Sequence, residues 1–162
     1  MDHKLLELIS KNNDFTEAQL AVMLGKSEED IQAEIRELEE KGIIKGYRAV
    51  IDWNRVPDAD VTAIIELKVM PKPETGFDDT AKIVMSYDNV ESVYLAASSR
   101  YDLIATVKGK TIQEIAEFVS KRLSTLEGVL GTATSFVLTQ YKGDGIVFYE
   151  SNEEEEQRSL IL

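Results

Sequence analysis

The sequence predicts an α+β protein in two parts, three short helices followed by a β-α-β-β-α-β run, and three observations carry that prediction. Apolar residues as far as Leu38 recur at helical spacing. From Val61 onward they alternate with a period of two, interrupted by two helical stretches. Between these regimes lies DWNRVPDAD, residues 52–60, polar and broken by Pro57. The predicted organisation is therefore a first domain over 1–52, a linker over 53–60, a second domain over 61–142 and a carboxyl-terminal acidic extension over 143–162.

In the first domain, residues 2–11 hold Leu5, Leu6, Leu8 and Ile9 and read as a short helix with one buried face. Asn12-Asn13-Asp14 breaks it. Thr16 caps a second helix, whose Leu20, Ala21 and Leu24 face inward and which Gly25 closes. The stretch SEEDIQAEIRELEEKGIIKGYRAVIDW, residues 27–53, then supplies a third helix and a short strand after it. Ser27 caps this helix, with Asp30 three residues on in a near-match to a capping box. Ile31, Ile35 and Leu38 form its apolar stripe, and Gly42 supplies the positive φ of its end. Ile43-Ile44 return to the core, and residues 47–53 alternate like a strand.

Alone, that stretch reads first as an ordinary amphipathic helix before a hairpin. The gap Gly25-Lys26-Ser27 gives it another meaning, because a short glycine-containing turn between two helices is the joint of a helix-turn-helix. The third helix is then the one that enters a major groove, and the strand after it makes the element winged. Gln32 and Arg36 lie off the apolar stripe and are the groove-facing candidates. Lys26, Ser27, Lys41, Lys45 and Arg48 complete the predicted DNA-binding set around the turn and the wing.

In the second domain, Val61, Ala63, Ile65, Leu67 and Val69 alternate with Thr62, Glu66 and Lys68, a strand that Pro71-Lys72-Pro73 ends. Phe77, Ala81 and Val84 mark a helix running to about Tyr87. Residues 91–97 and 101–108 are the next two strands, joined through Ser98-Ser99-Arg100. Thr111 caps a helix with Ile112, Ile115, Ala116, Val119 and Leu123 on one face, and a last strand covers 132–141 behind Gly128 and Gly131. This βαββαβ order is the split unit of ferredoxin-like folds. Two helices cover one sheet face. Ile64, Tyr94, Ala96, Ile104 and Val137 are expected on the other, which calls for a partner sheet or for the chain's own termini.

The segment AQLAVMLGKSEEDIQAEIRELEEKGIIKGYRAVID resembles the Lrp/AsnC, or feast-or-famine, transcriptional regulators, whose pattern there is helix, small-residue turn, helix, then I-x-G-Y-x-A. The match continues across nearly the whole chain. The resemblance implies a winged helix-turn-helix joined to a RAM-type domain, double-stranded DNA as partner, and homodimers formed sheet to sheet that assemble further, often to octamers. It also implies an amino acid effector. The family's T-G-x-Y-D-L-like turn matches Ser98-Ser99-Arg100-Tyr101-Asp102-Leu103, making Ser98, Ser99, Arg100, Tyr101 and Asp102 effector candidates, with Thr134 and Ser135 beside them. Ser99 stands where the family has glycine and adds a Cβ where backbone would approach the ligand. Arg100 is unusual there and suited to a carboxylate.

Charge sets the main tension. The chain carries −12 overall, and its first 60 residues hold 8 Lys+Arg against 14 Asp+Glu. Residues 28–40 alone hold seven acidic side chains and one basic one, Arg36, where many relatives have basic or small polar residues at the positions of Glu29, Asp30 and Glu34. DNA binding draws on cations to release phosphate counterions, so weak, salt-sensitive contact is expected. A second reading is a family member without DNA contact that serves as an amino-acid sensor or co-assembling subunit. A third is an enzyme resembling the sirohaem decarboxylases, which share both domains; that chemistry calls for clustered His and Arg, and here the second domain has no histidine.

No catalytic residues, metal ligands or cofactor are predicted. Zero cysteines exclude thiolate metal sites and disulfides, the one histidine is His3, and no phosphate-cradling glycine loop or nucleophile elbow occurs. No apolar run is long enough to span a bilayer and the start lacks the form of a signal peptide, so no membrane partner and a cytoplasmic location are expected.

Overall fold

The computed structural model describes residues 2–12, 14–97 and 100–148. By contact the chain divides into two units, Met1–Ile51 with Lys142–Leu162, and Asp52–Tyr141. It is an α+β protein with a four-stranded antiparallel sheet.

The first unit holds α1 (His3–Lys11), α2 (Glu17–Leu24) and α3 (Glu28–Glu40). Each helix starts on a local cap that satisfies otherwise orphaned N–H groups. The Asp2 carboxylate accepts from Lys4 and Leu5, Thr16 and Gln19 form a reciprocal capping box, and the Ser27 hydroxyl accepts from the Asp30 N–H. At α3 the anticipated box is not reciprocal: Ser27 Oγ donates to the Asp30 carboxylate at 2.6 Å. Aspartate is one methylene too short for the return reach that Glu or Gln makes. Gly25 closes α2 at φ 66°. After α3, the Gly42 N–H donates to the Glu39 carbonyl and the Ile43 N–H to the Leu38 carbonyl, with Gly42 at φ 64°.

The core of this unit is small. Leu5, Leu20, Ala21, Ile31 and Leu38 are buried, and Leu24, Ile35 and Ile44 pack partly against them. The expected strand over 47–53 does not form: residues 45–52 carry no ladder, and Trp53–Arg55 is a single 3-10 turn. A strand needs a neighbour for its N–H and C=O groups. The short strands in this unit, β5 (Lys142–Gly143) and β6 (Ile146–Val147), pair with each other instead, across Asp144-Gly145 at φ 48° and 83°. The acidic run over 151–158 and the apolar residues 159–162 lie outside the described residues.

The second unit runs β1 (Val61–Val69), α4 (Asp78–Met85), β2 (Val90–Leu95), β3 (Leu103–Gly109), α5 (Ile112–Lys121) and β4 (Val129–Phe136), with sheet order β2-β3-β1-β4. The alternation of β1 settles its register. Ala63 lies opposite Val107, Ile65 opposite Ala105 and Leu67 opposite Leu103, all buried on the face that α4 and α5 cover with Val84, Ile115 and Val119, joined by Leu123 of the 3-10 turn after α5. Tyr87 and Phe118 meet edge to face at 5.1 Å where the two helices approach. A Cβ at Gly109 would stand 2.8 Å from Ile115 Cγ1, so β3 and α5 close up only because that position is glycine.

Two details differ from the sequence reading. Ile112 and Ala116 are exposed: Ala116 lies about 100° around α5 from Ile115, and Ile112 sits at the open first turn of that helix. β4 stops at Phe136, not at 141, because β1 begins at Val61 and offers nothing to pair with beyond the Val137–Thr62 bond.

Leu38→Ala is expected to destabilise the first unit by about 2–5 kcal/mol. Amide hydrogen exchange checks this: protection should fall across α1–α3 while the amides of β1 and β3 stay as protected as before.

Candidate functional site

The α2–α3 turn is held by a charged knot. Lys26 Nζ donates to Asp2 Oδ2 at 2.9 Å and to Glu34 Oε2 at 2.6 Å, while Glu34 Oε1 accepts the Asp2 N–H at 3.0 Å. The cap of α1, the turn and the middle of α3 are thus tied at one point. Lys26 holds the Asp2 carboxyl below the usual carboxylate range, and Glu34, then Asp2, push the Lys26 ammonium up. Both shifts favour the charged forms of Asp2 and Lys26. Lys26, one of the predicted DNA-binding residues, thus has its ammonium engaged by two carboxylates of the fold. Glu34 likewise turns inward to the knot.

The other predicted DNA contacts separate into engaged and open groups. Ser27 caps α3. Lys41 pairs with Glu37 one turn back, and Arg48 pairs with Asp144 of the β5–β6 turn at 3.2 Å. Gln32, Arg36 and Lys45 are exposed, and among the described residues no ion pair holds Arg36 or Lys45. Gln32 and Arg36 line a recess of about 340 Å³ with Phe15, Glu39 and Tyr47. The Tyr47 hydroxyl donates to Glu39 at 3.1 Å, and burial, helped by Glu39, pushes the phenol up. Of the acidic groups on α3, Asp30, Glu34, Glu37 and Glu39 all have partners within the unit.

Of the predicted effector residues, Ser98 and Ser99 lie outside the described residues. Asp102 is an anchor of the sheet. Its carboxylate accepts the Val69 N–H at 2.8 Å and the Lys68 ammonium at 3.2 Å, its own N–H donates to Leu67, and its carbonyl accepts from Ala96. These bonds close the ends of β1, β2 and β3 together, so Asp102, one of the effector candidates, orients the start of β3. Arg100 is exposed and Tyr101 half-buried. Thr134 and Ser135 are divided by the pleat: Thr134 lies opposite Ile65 on the helix side, and Ser135 opposite Ile64 on the other.

The sheet face away from the helices carries Ile64, Tyr94 and Ile104 in one patch, with Tyr94 directly opposite Ile104. Ile64 and Tyr94 stand 41% and 62% exposed, well above what an internal face would show. Thr106, Glu66 and Ser135 interleave, so the patch is mixed rather than wholly apolar.

Sequence reasoning missed Asp2, Glu34 and Lys68 as the holders of these sites. No local spacing marks them, since Lys26 meets Asp2 across 24 positions and Lys68 meets Asp102 across 34. Among the described residues no group of His, Cys, Asp and Glu is arranged to hold a metal, and no helix is long and apolar enough to cross a membrane.

Residues 62–147 match the model of the Lrp/AsnC ligand binding domain. The HTH-type transcriptional regulator YugG of Bacillus subtilis is 40% identical over 146 residues, which cover 90% of this chain and 87% of that one. A transcriptional regulator from Neisseria meningitidis in complex with L-Met superposes with a TM-score of 0.68 at 20% identity, over 96% of this chain and 99% of that one. Escherichia coli AsnC does so with a TM-score of 0.64 at 22% identity, over 86% and 91%. The two structures share the fold. These relatives are regulators, not enzymes.

Acid should probe the Asp102 anchor. The Val69 N–H first, then Lys68, hold its carboxyl below the usual range. A lowered carboxylate stabilises the fold above its unfolded value, about 3.9, and that contribution is lost as pH falls through the folded value. Asp102→Asn is expected to lower the melting temperature at pH 7, with the gap from the parent closing below about pH 4. Melts across pH check it; a gap independent of pH would contradict the anchor's ionic character.

Proposed function

The chain belongs to the Lrp/AsnC family of transcriptional regulators, and on that premise we propose that it binds duplex DNA sequence-specifically through α3 and answers to an amino acid. The observation that carries the reading is the distribution of charge on α3. Four of its acidic groups are engaged inside the unit, while Gln32 and Arg36 stand exposed beside Lys45 beyond the helix end. In this reading α2, the Gly25-Lys26-Ser27 turn and α3 are the helix-turn-helix of a winged domain over 1–52. Arg36 and Gln32 meet base edges, and Lys45 meets phosphate, joined by Lys41 and Arg48 once phosphate competes for their partners. The knot at Lys26 and the cap at Ser27 hold α3 at its angle.

The second unit, as a ferredoxin-like RAM-type domain, joins copies through the Ile64, Tyr94 and Ile104 face. Dimers then present two recognition helices to half-sites about one helical turn apart, or a multiple of it, and assemble further, up to octamers. The effector site lies at a contact between copies around Ser98, Ser99, Arg100 and Tyr101, with Ser135 on the open sheet face and Thr134 next to it in β4, on the helix side. Arg100 suits a carboxylate. Asp102 shapes the turn. The neisserial regulator's complex with L-Met supports an amino acid as ligand. An effector alters DNA binding only as far as it favours one assembly over another.

The net charge of −12 favours one alternative, a sensor or co-assembling subunit without DNA contact. Binding isotherms on promoter fragments and random duplex at low salt separate the two, since equal affinity for both kinds of DNA would sink the proposal. Arg36→Ala is expected to cost about 1–3 kcal/mol and relax specificity, whereas Lys45→Ala weakens all sequences alike and lowers the salt slope by about one. Calorimetric titration with the twenty amino acids, paired with mass measurement of the assembly, tests the effector. Heat accompanied by a change of mass is expected; no heat from any of them would retire that part.

A further inference from the structure

Tyr47 reaches α3 from the segment that follows it. Gly42 ends the helix at φ 64°, the Ile43 and Ile44 N–H groups both donate to the Leu38 carbonyl, and Gly46 at φ 155° redirects the chain. Tyr47 thereby comes back to the last turn of the helix, where its hydroxyl donates to Glu39 Oε1 at 3.1 Å across eight positions. Burial first, and then Glu39, push the phenol up, so at neutral pH it keeps the proton that a carboxylate requires of its partner.

What stands beside this bond gives it a consequence. Glu39 lies three positions after Arg36, a spacing that makes the two side chains neighbours on the helix surface. Arg36, Gln32, Glu39 and Tyr47 line one recess. An exposed carboxylate so placed is suited to an exposed guanidinium, yet among the described residues no ion pair holds Arg36, and Glu39 is bonded to Tyr47. Two other acids lie near, Glu17 across the recess and Glu40 one turn beyond Arg36. Both are present with or without the Tyr47 hydroxyl, so a change on removing that hydroxyl reads Glu39.

We propose that Tyr47 is a positioning residue: its hydroxyl occupies the Glu39 carboxylate, keeps it from Arg36 and so leaves the guanidinium open to a duplex. The last clause rests on the function proposed above; the hold on Glu39 does not. Each has its own test. Phenylglyoxal attacks the unprotonated guanidine, so an arginine paired with a carboxylate reacts more slowly, and peptide mass measurement reads Arg36 in the whole assembly without DNA. Tyr47→Phe keeps the ring and is expected to slow that reaction about twofold at low salt, while Tyr47→Phe combined with Glu39→Gln restores the parent rate.

On promoter duplex at low salt, Tyr47→Phe should bind about threefold more weakly than the parent, and the double variant should return to the affinity of Glu39→Gln alone, as expected of residues that act through each other. Melting temperatures verify that the variants stay folded. An unchanged Arg36 rate in Tyr47→Phe overturns the proposal. So does a double variant that binds as weakly as Tyr47→Phe, because the hydroxyl then touches DNA itself or shapes the segment around it. A parent that binds promoter and random duplex alike defeats the functional reading instead, while the Arg36 rate still decides whether Tyr47 holds Glu39.

Discussion

β1 has neighbours on both sides and a side-chain period of two, and most of the second unit derives from that pair of constraints. Because Ala63, Ile65 and Leu67 must all face the helices, Ile64 and Glu66 must face away. The buried face and the exposed patch are thus one decision. The ends of β1 are equally consequential. Its start at Val61 stops β4 at Phe136, and its finish at Val69 is where Asp102 closes the ladder. A residue resembling a ligand contact is therefore held in place by the strand it terminates.

The first unit is held differently. With five buried apolar side chains among the described residues it has little core, and a small core leaves an angle between helices weakly determined. The Lys26 knot supplies the missing constraint, with Lys26, Asp2 and Glu34 side chains all a third exposed or less. Exposed pairs such as Lys41–Glu37 and Arg48–Asp144 contribute little by comparison and are screened by salt. The same distinction bears on recognition. A weakly held cation can exchange its carboxylate for a phosphate, while one bridging two carboxylates in a half-buried site loses structure if it does so.

The acidity of α3 acquires a structural account from these contacts. Glu28, Glu29 and Asp30 favour the positive end of the helix, and Glu34, Glu37 and Glu39 bind partners supplied by the turn, the helix end and Tyr47. Net charge counts all of these as repulsive to DNA, but the surface that would meet a groove is set by which side chains remain outward. Gln32 and Arg36 are among those that do, alongside exposed Glu29, Ala33 and Glu40.

What the sequence determined by itself was local: three capped helices, the two glycine stops, the alternation of β1, the element order and the family resemblance, each legible within a few residues because caps, φ constraints and periodicity act over one turn or one pleat. Tertiary structure alone decided which polar groups are engaged. Asp2 with Lys26, Lys68 with Asp102 and Asn54 with Gln140 lie 24, 34 and 86 positions apart, and no spacing rule reaches that far. The failed strand at 47–53 has the same origin. A pattern can prepare a segment for pairing, but the ladder exists only where the fold brings a second edge alongside.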